Sequence, residues 1–455
     1  MAAPALTTVV AGAGWAGLSA AVRLGQAGMP VTLLEASRHL GGRARSIVDG
    51  EWHIDNGQHM LLGAYHQTLK LFDTLGVPER KMVRRKLFEL EMRSPAHGQV
   101  RLRVPNVAGP VHILWGLMRA RGLDLQERGT AMRLGARLIR SRFSIKEDQA
   151  LEKWLLQHGQ TRRLIQTLWQ PLCLAMLNTP IREASTKVFL HILRKTFARE
   201  RDDSDLLFIL PPLSATLPGL TQDFIQRHAG EIQLNQRITG LAIEQKRLRG
   251  IYVNQRFRPC EQLILATPPW TTRRLLAEYE ATQPISQALE RLDHHPICTV
   301  YLQYPDSASL GTDFIGLVDS LGHWVFDRCM NGQPGLMAVV ICGPGPHMAM
   351  DNAALAHELI QELARLYPHW PPPITWRVIR EKRATFGCRT GIERFRPSAL
   401  TPVEGLFLAG DYLDTGYPST LEGAVKSGLM SARALLEAQQ TTAPASTNSP
   451  TRAAQ

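Results

Sequence analysis

The sequence predicts an α/β fold: a discontinuous, Rossmann-like dinucleotide-binding domain carrying an inserted substrate domain of mixed sheet and helix. Three observations predict it. Near the start, Val9-Val10-Ala11-Gly12-Ala13-Gly14-Trp15-Ala16-Gly17 lies between short apolar runs, and Glu35 closes the second run. Near the end, Leu406-Phe407-Leu408-Ala409-Gly410-Asp411 precedes Glu422-Gly423-Ala424 and suits another part of the same ligand. Between them, residues 80–223 carry no such motif and read as an insertion.

The first motif gains its meaning from context. Residues 7–11 are β-rich, 18–27 read as a helix and 31–34 as a second strand. In that setting Gly12 permits the tight turn, Gly14 lets backbone approach a pyrophosphate, and Gly17 lets helix and strand pack closely. Trp15 and Ala16 belong to the same turn, where the helix N-terminus favours an anion. Glu35, followed by Ala36, stands where a carboxylate binds ribose hydroxyls. Gly41-Gly42-Arg43 comes next: the glycines can hug a cofactor and Arg43 can neutralise a phosphate, with Arg45 as the other candidate. In Ile54-Asp55-Asn56-Gly57-Gln58-His59, Gly57 suits backbone packed on a flat ring, with Gln58 beside it. His59 either faces a substrate or is a satisfied structural histidine, and the sequence leaves both open.

The second grip returns after the insertion. Residues 233–240 read as strand and turn, 241–252 as a hairpin, and 262–266 as an apolar strand ending in Thr267-Pro268-Pro269-Trp270. Ala266 closes that strand on the cofactor side. Ile238 either meets the adenine end through its backbone or is plain core. Residues 406–409 form a buried strand, closed by Gly410 and by Asp411, a carboxylate placed for a ribityl or ribose hydroxyl. A helix over 421–436 follows. Small Gly423 and Ala424 in its first turn let a ring lie against backbone N–H groups, whose dipole favours charge on a reduced flavin. Glu422 is either part of that grip or a dipole partner only. Two distant segments that each fit part of one dinucleotide mark the cofactor as FAD. No second GxGxxG stands in a β-α-β context, so a separate nicotinamide domain is not expected.

Composition bounds the rest. The 455 residues allow two or three domains, and 44% hydrophobic content fits a real core. The expected division is 1–79, 224–275 and 400–438 for the cofactor domain, 80–223 and 276–399 for the substrate domain, and 439–455 as a disordered tail. Within the substrate region, 89–104 and 336–342 read as strands, 284–304 as a further strand, much of 110–196 as helix, and 352–367 as an amphipathic helix.

Net charge is +12, so acidic surfaces attract the chain. Nucleic acid is not expected, because the basic residues do not interleave with aromatics and no zinc or helix-turn-helix pattern is present. Six scattered cysteines without a CxxC fit reduced thiols, and no metal site is expected. No signal peptide or membrane span is legible, which places the expectation in the cytoplasm. Residues 110–142 hold seven arginines, no lysine, and only Asp124 and Glu127 as acids. That composition suits peripheral binding to the inner face of the membrane and equally a solvated helical cap.

Together the motifs resemble the phytoene desaturase and amine oxidase superfamily of flavoenzymes, whose FAD domain is of the discontinuous GR2 type. The Asn56-Gly57-Gln58-His59 block, the compact length, Gly410-Asp411-Tyr412, and Thr415-Gly416-Tyr417-Pro418-Ser419-Thr420-Leu421-Glu422-Gly423-Ala424 are most similar to its squalene-associated branch, the hydroxysqualene dehydroxylases of bacterial hopanoid pathways. The resemblance implies reductive removal of the hydroxyl of 12-hydroxysqualene to give squalene, a long apolar pocket, and contact with synthases of that pathway. It puts His59, Asp414 and Tyr417 near the ring as candidates for the general acid. His59 would act as a cation, and Asp414 would need burial to keep its proton. Other readings stay open: a carotenoid-type desaturase or isomerase, an amine oxidase, or a non-catalytic flavoprotein partner of a terpenoid synthase.

Overall fold

The computed structural model describes residues 8–107 and 109–442. Its centre is a five-stranded, all-parallel sheet ordered Glu231–Gln233, Val31–Leu34, Thr8–Ala11, Gln262–Leu265, Leu406–Leu408. The three inner strands read TVVA, VTLL and QLIL, the apolar runs that a sheet covered on both faces requires. Val10 stands opposite Leu33 on one side and Ile264 on the other. Helices Trp15–Gln26 and Leu421–Thr442 pack together across it. They cross so closely that a Cβ on Gly428 would lie 2.0 Å from the Ala16 carbonyl oxygen.

A second, seven-stranded sheet forms the substrate side. Its order is Thr375–Phe386, His294–Gln303, Leu336–Cys342, Trp324–Asp327, Phe314–Leu317, Glu89–Ser94, Gly98–Arg103. All its pairs are antiparallel except Phe314–Leu317 with Glu89–Ser94. Helix Asn352–Leu366 sets Leu355, Leu359 and Leu363 against Val300, Val339 and Ile341. The insertion is helical through Val111–Met118, Leu125–Arg140, Leu151–Gln157, Gln170–Leu177 and Thr186–Phe197. One π-helical turn, Ile165–Trp169, interrupts it.

Several expectations are corrected. Residues 284–304 are not one strand: Gln283–Glu290 is a helix begun by Pro284, and the strand starts at His294. Proline in a helix's first turn gives up no hydrogen bond there. The cofactor helix starts at Trp15 rather than at 18, so its first turn points at Gly12–Gly14. It is the C-terminal helix, Leu421–Thr442, that holds residues 439–442, expected to be disordered; the rest of the expected tail lies outside the described residues. The long strand Thr375–Phe386 escaped the sequence reading because Arg377, Arg380, Glu381, Lys382 and Arg383 break its alternation. It is an edge strand, and edges carry charge. Among the described residues, no helix is long and apolar enough to cross a membrane.

Candidate active site

Backbone shapes the first half of the site. Gly12 has φ +110°, donates its N–H to the Leu34 carbonyl at 2.7 Å, and would drive a Cβ to 2.4 Å from the Ala266 carbonyl oxygen. A Cβ on Gly17 would come within 1.8 Å of the Gly12 carbonyl oxygen. At Gly14 a Cβ would meet nothing within 4 Å. Gly14 therefore borders open space, in front of a helix whose first turn has neither a side-chain cap nor an acidic residue. Those N–H groups and the helix dipole fit a pyrophosphate. Trp15 and Ala16 are buried walls of this turn, the Trp15 indole donating to the Ala44 carbonyl at 3.3 Å. The Glu35 carboxylate is fixed at the rim by the N–H groups of Ala13 and Ser37, both at 2.8 Å, with Ala36 exposed beside it. Ile238 is buried and opens the antiparallel strand Ile238–Glu244, paired with Val253.

Side chains clasp the two motifs together. Gly42, at φ +62°, would set a Cβ 3.1 Å from the Gly14 Cα. Arg43 next to it pairs with Asp411 at 2.7 Å, across 368 residues of sequence. Burial works to raise the Asp411 pKa. Arg43, and a hydrogen bond from Ser419 at 2.7 Å, outweigh it and hold the carboxyl below its usual range. Gly410 donates its N–H to Ser427 at 2.8 Å, tying the turn to the last helix, and Gly423 donates to Thr420 at 3.0 Å. Ala424 is half-buried at the same end.

Glu422 corrects an expectation. Its carboxylate accepts from the Gln67 and Thr68 N–H groups at 3.0 and 2.9 Å, and from the Thr68 hydroxyl at 2.8 Å. It caps helix His66–Thr74, an N-terminus that offers free donors. Gln58 likewise has its amide occupied, donating to the Tyr301 hydroxyl at 3.0 Å and accepting from Arg328 at 3.1 Å. Only its backbone remains for the cofactor role expected of it.

Behind Gly57, whose Cβ position is open to 3.7 Å, lies a recess at His59. Met60, Phe208, Ile209 and Phe326 form its apolar wall, and Asp55 and Arg328 a buried polar floor, 3.5 Å apart. The recess is lined by both apolar and polar side chains, and Phe326 in its wall stacks on Phe314 behind it. His59 is half-buried, with its Nδ1 atom buried and unpartnered. Burial pushes its pKa below the usual range, while Asp55 and the Gly57 backbone act the other way without reversing it. That direction works against the His59 cation that the acid role asks for.

The remaining candidates sit on the loop over 412–420. Asp414 is exposed, so the burial its role required is missing. Tyr417 is buried, donates its hydroxyl to the Ala64 carbonyl at 3.1 Å, and crosses Tyr65 edge-on at 6.1 Å. Burial, with Glu422 nearby, raises its pKa further. Arg396, absent from the sequence reading, holds the loop by donating to the carbonyls of Asp411, Leu413 and Tyr417. Lys195 was missed as well. It reaches down from helix Thr186–Phe197 with its ammonium 3.8 Å from the Tyr417 ring centroid, one helical turn after His191. Burial and Lys426 bring its pKa down to about 8. Only the i, i+4 spacing of His191 and Lys195 on one helix face hinted at this pair.

Comparison with known proteins decides the family. The model of the flavin containing amine oxidoreductases matches residues 15–436. The chain belongs to that family. It is an FAD-dependent oxidoreductase, which sets aside the reading as a non-catalytic partner. It is 26% identical over 436 residues to a hydroxysqualene dehydroxylase of Zymomonas mobilis, covering 92% of this chain and 97% of that one. Identity to a hydroxysqualene dehydroxylase of Rhodopseudomonas palustris is 27%, covering 95% and 99%. A 15-cis-phytoene desaturase of Glycine max is 24% identical, over 95% of this chain and 80% of its own. Cyclohexylamine oxidase from Brevibacterium oxydans shares the fold, with TM-score 0.74 at 15% identity over 96% of this chain and 100% of that one. The open Gly14 turn, the uncapped helix and Glu35 fit FAD.

Proposed function

We propose that this flavoenzyme removes the hydroxyl of 12-hydroxysqualene and delivers squalene to hopanoid synthesis, working on the cytoplasmic side of the membrane beside synthases of that pathway. The observation that carries the reading is end-to-end similarity to two hydroxysqualene dehydroxylases, 97% and 99% of whose lengths align. In the balanced step, a proton joins the leaving hydroxyl as water, an allylic cation remains on the substrate, and a hydride closes it. Reduced FAD, when bound, supplies the hydride, and an external two-electron donor restores it.

The chain's own residues supply the proton and the shape. The His59 pKa is lowered, Asp414 is exposed, and the Tyr417 proton is engaged with Ala64. Lys195 fits the acid best: with a pKa of about 8 it carries a proton at neutral pH, and it stands over Tyr417 on the loop of residues 412–420. Lys195 and Lys426, both over the Tyr417 ring, oppose a cationic amine substrate, which disfavours amine oxidation. The similarity to phytoene and ζ-carotene desaturases supports a second reading, in which the flavin accepts hydride from a polyene.

Two assays separate these readings. Dithionite-reduced enzyme given detergent-dispersed 12-hydroxysqualene yields squalene on the first; oxidised enzyme given phytoene yields a desaturated product on the second. With the acid at Lys195, activity declines as pH rises through about 8. Lys195→Met removes that limb and costs at least about a hundredfold in rate with FAD retained. An unchanged pH profile in that variant removes Lys195 from the mechanism.

A further inference from the structure

Helix Val111–Met118 is built the wrong way round for a core helix. Its inner face holds His112, Gly116 and Leu117, while Val111, Trp115 and Met118, spaced i, i+4 and i+7, face solvent at 53%, 42% and 41% exposure. Leu125, at the start of the next helix, is 85% exposed. An apolar stripe centred on tryptophan marks an interaction site.

Its charge surroundings say what the site meets. Helix Leu125–Arg140 packs against the striped helix, a Cβ on Gly135 falling 2.7 Å from Leu114. The two acids of residues 110–142 are occupied inside the fold. Asp124 accepts the Glu127 N–H at 2.7 Å in a capping box, and Glu127 is buried against Arg163. Among the described residues, none of Arg119, Arg121, Arg128, Arg133, Arg137, Arg140 or Arg142 forms an ion pair. Arg119 stands 5.2 Å from the Trp115 ring. The surface thus combines an interfacial aromatic and aliphatic side chains with cations that lack counter-charges.

We propose that this pair of helices docks the enzyme on an anionic lipid bilayer, with Val111, Trp115 and Met118 entering the headgroup boundary and the arginines pairing with lipid phosphates. Apolar insertion and electrostatic attraction add in such sites, and tryptophan settles at headgroup depth. The choice of a bilayer over a protein partner rests on the polyisoprenoid reading of the function, since such a substrate dissolves in lipid.

The test is flotation of the full FAD-loaded protein with vesicles of phosphatidylcholine and phosphatidylglycerol in equal parts, against phosphatidylcholine alone. Wild type floats with the mixed vesicles at low salt, and high salt releases it. The combined Val111→Ser, Trp115→Ser and Met118→Ser variant stays unbound with its flavin absorbance and Tm intact. Arg133→Gln, Arg137→Gln and Arg140→Gln each weaken partition roughly fivefold. Wild type left unbound at low salt, or a triple variant that floats like wild type, overturns the proposal. So does a wild-type dimer that the triple variant converts to monomer, which would assign the stripe to a second copy. The detergent assay keeps the two readings apart: squalene formed without vesicle binding sinks the docking surface alone, and binding without squalene sinks the reaction alone.

Discussion

The cofactor side and the substrate side of this molecule are built by different means. Around the parallel sheet, recognition is a property of backbone. Gly12 and Gly17 leave no room for a Cβ, Gly14 borders open space, and an uncapped helix offers its N–H groups. Around the second sheet and the helical insertion, the candidate groups are side chains brought together from distant segments: Lys195 over Tyr417, and Arg328 between Asp55 and Gln58. The first kind of site needs glycine at fixed spacing and so writes itself into the sequence. The second is assembled by tertiary packing and leaves almost no local trace.

Substitutions can break that contrast, beginning with the largest effect. Gly17→Val places a side chain within 1.8 Å of the Gly12 carbonyl oxygen and should cost more than about 4 kcal/mol, yielding colourless protein. The check is flavin absorbance per protein after purification; a yellow, stable variant would break the backbone account. Phe189→Ala, at a fully buried ring packed edge-on to Trp169, should cost about 3–5 kcal/mol. Denaturant unfolding should show the loss while the folded fraction stays yellow, because Phe189 lies in the insertion.

Asp411→Asn sharpens the comparison, since the Asp411–Arg43 pair joins the two motifs. It leaves Arg43 without its partner and should cost about 2 kcal/mol, less than a fully buried pair because the Arg43 side chain is 31% exposed. The pH dependence has a definite sign. A carboxyl held low in the folded state stabilises above the unfolded value of about 3.9, and that stability fades as pH falls through the lower folded value. Acid unfolding below about pH 4 should therefore be shallower in Asp411→Asn than in wild type. Smallest is Asp124→Ala, which removes a capping box and should lower stability by about 1 kcal/mol without changing flavin content.

Legibility in the sequence follows the same divide. Strands 31–34 and 336–342 fall where apolar runs put them, while the hairpin read over 241–252 is observed as Ile238–Glu244 with Arg247–Val253, its first strand beginning inside the segment read as strand and turn. The close packing at Gly12 and Gly17 was legible because the motif's glycines stand where no Cβ fits, whereas Arg43 and Asp411, read separately as a phosphate partner and a hydroxyl partner, are found paired with each other. Glu422 was misread: its position in the first turn of a helix is right for a dipole partner, but its true partner is another helix's N-terminus, which no local pattern reveals. The exposure of Asp414 and the surroundings that lower the His59 pKa were not legible because exposure and burial are tertiary facts. Arg396 and Lys195 lacked any motif, and only the folded loop over 412–420 gives them a task.

One measurement tests the proposed reaction most directly. Enzyme with fully photoreduced flavin is mixed with 12-hydroxysqualene without oxygen, and flavin absorbance is followed while products are read by mass spectrometry. The account predicts squalene appearing in step with flavin reoxidation, in equal amounts. Flavin that stays reduced and bound while 12-hydroxysqualene is recovered unchanged would contradict it.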